Sequence, residues 1–159
     1  MENFEGFDVQ LAPERLLWNS SQGEFESETG QPFPFSNDEP LRFVLVGAQN
    51  VWACWSDVVG KPLCAVGSEP CDIDEHRPSK GLLLAVMLEE DDGEHYPYFL
   101  QMFGISVKFG NRIIKLAQKH GPSLQIARVK AITVKGRDLF FPVADILDES
   151  SLTAGDGEV

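Results

Sequence analysis

At 159 residues, 43% hydrophobic and 10% aromatic, the chain has the size of one domain and enough apolar side chain to bury one core. That excludes two full-sized domains and an intrinsically disordered chain. No run of 18 apolar residues occurs, so no helix of bilayer-spanning length is expected.

The net charge of −12 argues against a nucleic-acid partner only if it is evenly spread. It is not. Residues 1–100 carry 5 Lys/Arg against 19 Asp/Glu, residues 101–147 carry 8 Lys/Arg against 2 Asp, and residues 148–159 carry only acids. A basic stretch between an acidic body and an acidic tail suggests a charged partner for the basic part. The start, Met1 to Glu5, is acidic where a secretory signal is basic and then apolar. Three cysteines, Cys54, Cys64 and Cys71, are an odd number for a secreted disulfide framework. A cytoplasmic protein with reduced thiols is expected.

In chain order, residues 1–40 read as an irregular arm pinned to the domain by its Phe and Trp side chains. Pro32-Phe33-Pro34-Phe35 fits neither a helix nor a central strand. A short helix is allowed near Pro13–Trp18, with proline in its first turn. Leu41–Val46 is a β-branched and aromatic strand, Ala48–Asn50 a turn, and Val51–Trp55 a second strand. Residues 57–80 read as a long loop, Leu82–Leu88 as a buried strand, and Glu89–Glu94 as a solvated acidic turn. Tyr96–Phe103 is the next strand, with Pro97 at its start.

The hydrophobic period then changes. Ile105, Phe109, Ile113, Leu116 and Ala117 recur at helical spacing, with Ser106 as cap and Gly121-Pro122 as stop. Gly110 weakens this helix from inside. Lys108, Arg112, Lys115 and Lys119 share roughly one of its faces. Leu124–Val134 and Leu139–Val143 form strands around a hairpin turn at Lys135-Gly136-Arg137-Asp138. Arg128 and Lys130 alternate with small apolar residues, which gives that strand one cationic face. Residues 148–159 read as a flexible acidic tail. The expected fold is mainly β with one helix (α+β). Residues 41–147 would form a five-stranded Greek-key barrel of the oligonucleotide/oligosaccharide-binding (OB) type, with its helix between the third and fourth strands.

No phosphate-cradling loop, dinucleotide fingerprint, zinc-hydrolase helix or nucleophile elbow is present. The chain therefore reads as a binding module rather than an enzyme, with no catalytic residue and no cofactor expected. Cys54, Cys64, Cys71 and His76 could supply a thiolate–imidazole zinc site, but the tight Cys-x-x-Cys knuckle of such sites is missing, so none is assigned. A hydrolase using His76 with Asp72, Asp74 and Glu75 is the weakest of the three functional readings.

The stretch Pro97–Ser106, the helix, Gln125–Thr133 and Leu139–Val143 resembles a loose group of bacteriophage and cyanobacterial single-stranded-DNA-binding-like proteins. In that group a strand ends in a Gly-x-Ser step into a helix, followed by a hairpin. Val51–Cys54 with Ser56 and Asp57 is similar to the group's cysteine-serine-aspartate strand end. The resemblance covers about a third of the chain. It implies an OB-type fold and nucleic-acid binding.

The leading expectation is a sequence-tolerant binder of single-stranded DNA, with RNA left open. Lys108, Arg112, Lys115, Lys119, Arg128, Lys130, Lys135 and Arg137 would meet phosphates, and Trp52, Trp55 and Phe103 would stack on bases. The alternative is an acidic protein-interaction module or DNA mimic whose surface or tail binds a protein partner in a larger assembly. No membrane partner is expected, and self-association stays open.

Overall fold

The computed structural model describes residues 14–56 and 76–147, with side-chain detail for 14–52 and 80–147. Eight strands and one helix follow in the order β1 (Glu14–Asn19), β2 (Glu24–Ser27), β3 (Pro32–Phe33), β4 (Leu41–Ser56), β5 (His76–Glu89), β6 (His95–Phe103), α1 (Ser106–His120), β7 (Ser123–Val134) and β8 (Arg137–Ile146). The strands form one curled, open sheet in the order β3-β2-β1-β6-β5-β4-β7-β8, a half-barrel that is loosely OB-like.

β5 is the hub because its sequence is apolar on both sides. Leu82, Leu84, Val86 and Leu88 line one face, each fully or almost fully buried. They meet Met102, Leu100 and Tyr98 of β6 and Phe43 and Leu45 of β4 in register. Leu16 and Phe25 extend this inner face toward β1 and β2, and Leu41, Leu124 and Ile126 extend it toward β7. Ile113 and Ala117 of α1 complete the core. Burying such side chains contributes about 1.5–3 kcal/mol each.

Two bulges shape the curl. The register of β4 on β5 shifts between Leu45 and Gly47, leaving Val46 as an extra residue. Inward positions are odd before it (Leu41, Phe43, Leu45) and even after it, where Ala48 opposes Leu84. A bulge bends its strand and exchanges the two faces. The turn expected at Ala48–Asn50 is therefore absent: β4 is one 16-residue strand with a bend. The second shift lies between Ile126 and Arg128 of β7, with Ala127 as the extra residue.

The sequence expectation of a closed five-stranded barrel is corrected here. β4, β5, β6, β7 and β8 do adopt the expected order, with α1 between the third and fourth of them. Closure would require β8 to pair with the free edge of β6. That edge is taken by β1, which runs parallel to β6 from the Glu14/Tyr98 rung to the Leu17/Gln101 rung. The curl brings β8 only to the β1–β2 turn. There the Phe140 N–H donates to the Ser20 carbonyl at 2.8 Å, and the Trp18 Nε1–H donates to the Phe140 carbonyl at 2.9 Å.

Residues 14–33 thus form strands rather than the irregular arm or short helix expected. β3, with its proline, occupies the sheet edge, where a missing N–H is tolerated. Trp18 packs edge-on against Phe25 at 4.8 Å and stacks on Phe35 at 6.2 Å, while Phe33 lies 5.9 Å from Tyr98.

Candidate nucleic-acid interface

α1 begins where β6 must reverse. Gly104 supplies a left-handed turn (φ 60°). Ser106 is the first helical residue rather than the cap: its hydroxyl donates to the Phe103 carbonyl and accepts the Phe103 N–H, tying the helix start to the strand it leaves. Gly121, also at positive φ, donates its N–H to the Ala117 carbonyl and ends the helix. Between these ends Phe109, Gly110, Ile113 and Ala117 face the sheet. Lys108, Arg112, Lys115 and Lys119 are all exposed on the opposite side. The periodicity of the sequence sorted these residues correctly.

The bulge at Ala127 decides where the strand cations point. Leu124 and Ile126 face inward, and an unbroken alternation would send Arg128 and Lys130 after them. With one extra residue, Arg128 opposes Val143 and Lys130 opposes Phe141, and both cations are exposed. Phe141 itself is 1% exposed because the Phe109 ring lies parallel to it, with centroids 4.6 Å apart. The Arg112 guanidinium lies 4.7 Å from the Phe109 centroid. One aromatic stack therefore seats α1 on the β7–β8 ribbon.

A shallow depression runs along the first half of α1, lined by Gly104, Ile105, Val107, Lys108, Asn111, Arg112 and Lys115. At its strand end the Gly104 N–H donates to the Lys80 carbonyl at 3.4 Å. The Lys80 ammonium sits 5.6 Å from the half-buried Trp52 ring, its cross-strand partner. The Lys80 backbone is thus tied to the residue at the strand end of the depression. Lys80 was missed in the sequence because residues 57–80 read as loop. β5 in fact begins at His76.

The remaining expected residues divide. Lys135 (φ 51°) and Gly136 (φ 77°) make the expected hairpin turn at the ribbon tip. Arg137, beside them, reaches the Ser21 hydroxyl at 3.5 Å, next to the β1–β2 turn rather than to α1. Arg128 has a carboxylate partner, Asp145, at 3.5 Å across an exposed surface. Lys108, Lys115, Lys119 and Lys130 form no ion pair among the described residues. Phe103 is half-buried with its ring over Gly81, where an added Cβ would stand 2.7 Å from two ring atoms. The side chains of Cys54, Trp55 and His76, and all of Cys64, Cys71, Asp72, Asp74 and Glu75, lie outside the detailed residues. Among the described residues no cluster of three or more His, Cys, Asp or Glu could hold a metal ion, and no helix is long and apolar enough to cross a membrane.

The acidic turn is ordered by the chain's two tyrosines. Tyr98 donates to Glu90 at 2.6 Å, and Tyr96 donates to Asp92. Burial, then the Glu90 hydrogen bond, pushes the Tyr98 phenol well above the ordinary tyrosine value. The Asp92 hydrogen bond raises Tyr96, and the same bond lowers Asp92. The phenol is neutral when protonated, so a raised value in the folded state preserves stability below pH ~10. Above that, the unfolded chain ionises before the folded one, and stability falls as pH rises. Alkaline titration of phenolate absorbance should therefore show no folded-state tyrosine with a midpoint at the ordinary value. A single midpoint near pH ~10 for both would contradict these hydrogen bonds.

No protein-family model matches this chain, and comparison with curated proteins and with solved structures returned no match.

Proposed function

We propose that the protein binds single-stranded nucleic acid across the outward face of α1 and the adjoining face of the β7–β8 ribbon. The observation that carries this reading is the Phe109–Phe141 stack. It seats α1 on the β7–β8 ribbon, with Arg112 beside the Phe109 ring and Lys130 opposite Phe141 in register. The OB-like curl with its single helix is consistent with nucleic-acid-binding folds in general. Trp52 beside Lys80 offers a ring next to a cation. Cations without carboxylate partners neutralise phosphates and release counterions, and a ring beside them adds sequence-tolerant stacking. The strand is held by its backbone, with little base preference.

The test reverses one charge on each half of the surface. Lys108→Glu with Lys130→Glu removes two cations that have no ion-pair partner among the described residues. Affinity for labelled single-stranded DNA at low salt should fall by more than tenfold, on the order of 1–2 kcal/mol per charge-assisted contact. The slope of log affinity against log salt should shrink by about 0.7 per lost contact. Unchanged affinity in a double variant with a wild-type melting curve would remove this surface from the account.

A further inference from the structure

β7 is paired along one edge only over half its length. Its rungs with β4 stop at the Leu41/Ile126 pair, whereas its rungs with β8 continue to the Val134/Arg137 pair. Among the described residues, the far edge of β7 from Arg128 to Val134 has no strand partner.

The hydrogen-bond phase of that edge follows from one contact. The Phe140 N–H and carbonyl point away from β7, toward Ser20 and Trp18. Phe140 opposes Ala131, so this is a non-hydrogen-bonded rung, and Ala131 must direct its own N–H and carbonyl to the free edge. By the two-residue alternation, Val129 and Thr133 do the same. Lys130 and Ile132 bond inward to β8. Val129 is 36% exposed and Ala131 is exposed, so the edge is accessible as well as unpaired.

We propose that this edge pairs antiparallel with the same edge of a second copy of the chain, about a two-fold axis at Ala131. In that register residues that bond outward face residues that bond outward. Ala131 opposes its own copy, and Val129 opposes Thr133. Lys130 opposes Ile132, and Arg128 opposes Val134. Every outward N–H then meets an outward carbonyl, giving about six new backbone hydrogen bonds. No cation faces a cation directly, the arrangement that would be unfavourable across a strand pair. The two ribbons merge into a four-stranded β8-β7-β7-β8 sheet that carries Arg128 and Lys130 of both copies. A short interface of this kind supports weak, reversible association. Each chain carries −12 overall and each ribbon several cations, so like-charge repulsion opposes it at low salt. Self-association therefore strengthens with salt, the reverse of nucleic-acid binding, and the inference does not depend on the proposed function.

Sedimentation of the full chain over a wide concentration range, at low and moderate salt, tests the dimer. Backbone amide exchange under the same conditions tests the register. The dimer fraction should rise with concentration and with salt. The Val129, Ala131 and Thr133 amides should gain protection with it, while Lys130 and Ile132, already bonded to β8, should not change. Ala131→Pro deletes one outward N–H and leaves the bonds between β7 and β8 in place. It should shift self-association at least tenfold to higher concentration with an unchanged circular-dichroism spectrum. A wild-type chain that stays monomeric throughout, or a dimer whose protection pattern misses these three amides, overturns the proposal.

Discussion

Replacing Phe141 with alanine should lower the stability of the protein by about 3–5 kcal/mol, the cost of emptying a fully buried phenylalanine site. Phe141 is 1% exposed, and its ring is the seat on which Phe109 of α1 rests. The loss has two parts: apolar surface removed from the core, and the parallel ring contact itself, worth on the order of 1 kcal/mol beyond area. Domains of this size are stable by roughly 5–15 kcal/mol, so the variant loses a large share of its margin. At about 2–4 °C per kcal/mol the melting temperature should drop by on the order of 10 °C. Phe141→Leu keeps most of the volume and should cost far less. Urea denaturation separates the cases: the midpoint moves and the slope stays constant if the native fold persists. A Phe141→Ala midpoint within error of wild type would mean that the helix is not seated as described.

The second large effect concerns Gly110. On propensity alone, glycine in a helix interior costs about 1 kcal/mol relative to alanine, so Gly110→Ala ought to stabilise. The packing reverses that sign. A Cβ at this position would lie 2.5 Å from Leu82 Cδ2 and 2.8 Å from Met102 Sδ, both fully or almost fully buried side chains of the sheet. Glycine is there because the helix backbone rests directly on β5 and β6. Overpacking costs roughly 1–3 kcal/mol, and Gly110→Val, with two further methyl groups, should reach or exceed the top of that range. Pairing Gly110→Ala with Met102→Ala should recover part of the loss, since the shortened side chain vacates the space the new methyl needs. Strict additivity of the two changes would show that the contact is not the cause.

Gly110 also shows where the sequence was legible and where it was not. The period of Phe109, Ile113 and Ala117 and the stop at Gly121-Pro122 located α1, because those signals are local. Gly110 reads locally as a weakness, and only the contact with Leu82 and Met102 explains it. The hairpin at Lys135-Gly136 was legible for the same reason: its positive φ angles are a property of the turn itself. The bulges were not. Val46 and Ala127 are ordinary strand residues, and their role lies in register against β5 and β8. Gln49 and Asn50 therefore resembled a turn, and the reason Arg128 and Lys130 escape the core was hidden. β1 escaped notice because Glu14–Asn19 mixes charges with apolar residues and is a strand by virtue of its pairing with β6. That pairing, with a partner more than eighty residues away in the chain, also decides that the barrel stays open.

Of the expected interface, the helix cations were readable from spacing, and Arg128 with Lys130 from alternation. The seating of α1 on the ribbon was not readable, since it depends on Phe109 finding Phe141. Lys135 and Arg137 belong to the same sequence cluster yet stand at the ribbon tip beside the β1–β2 turn. Charge density along a sequence does not say which charges share a surface. Folding ties the Lys80 backbone to the turn that opens α1 through the Gly104 hydrogen bond, and sets the Lys80 ammonium near the Trp52 ring.

The most direct measurement is fluorescence anisotropy of a labelled single-stranded oligonucleotide titrated with the full chain at low and at physiological salt. The account predicts binding at low salt that weakens steeply as salt rises, with a log–log slope of about −0.7 per phosphate contacted and little dependence on base sequence. Absence of binding even at low salt would contradict it, and would shift the function to the acidic surface as a docking face for a protein partner.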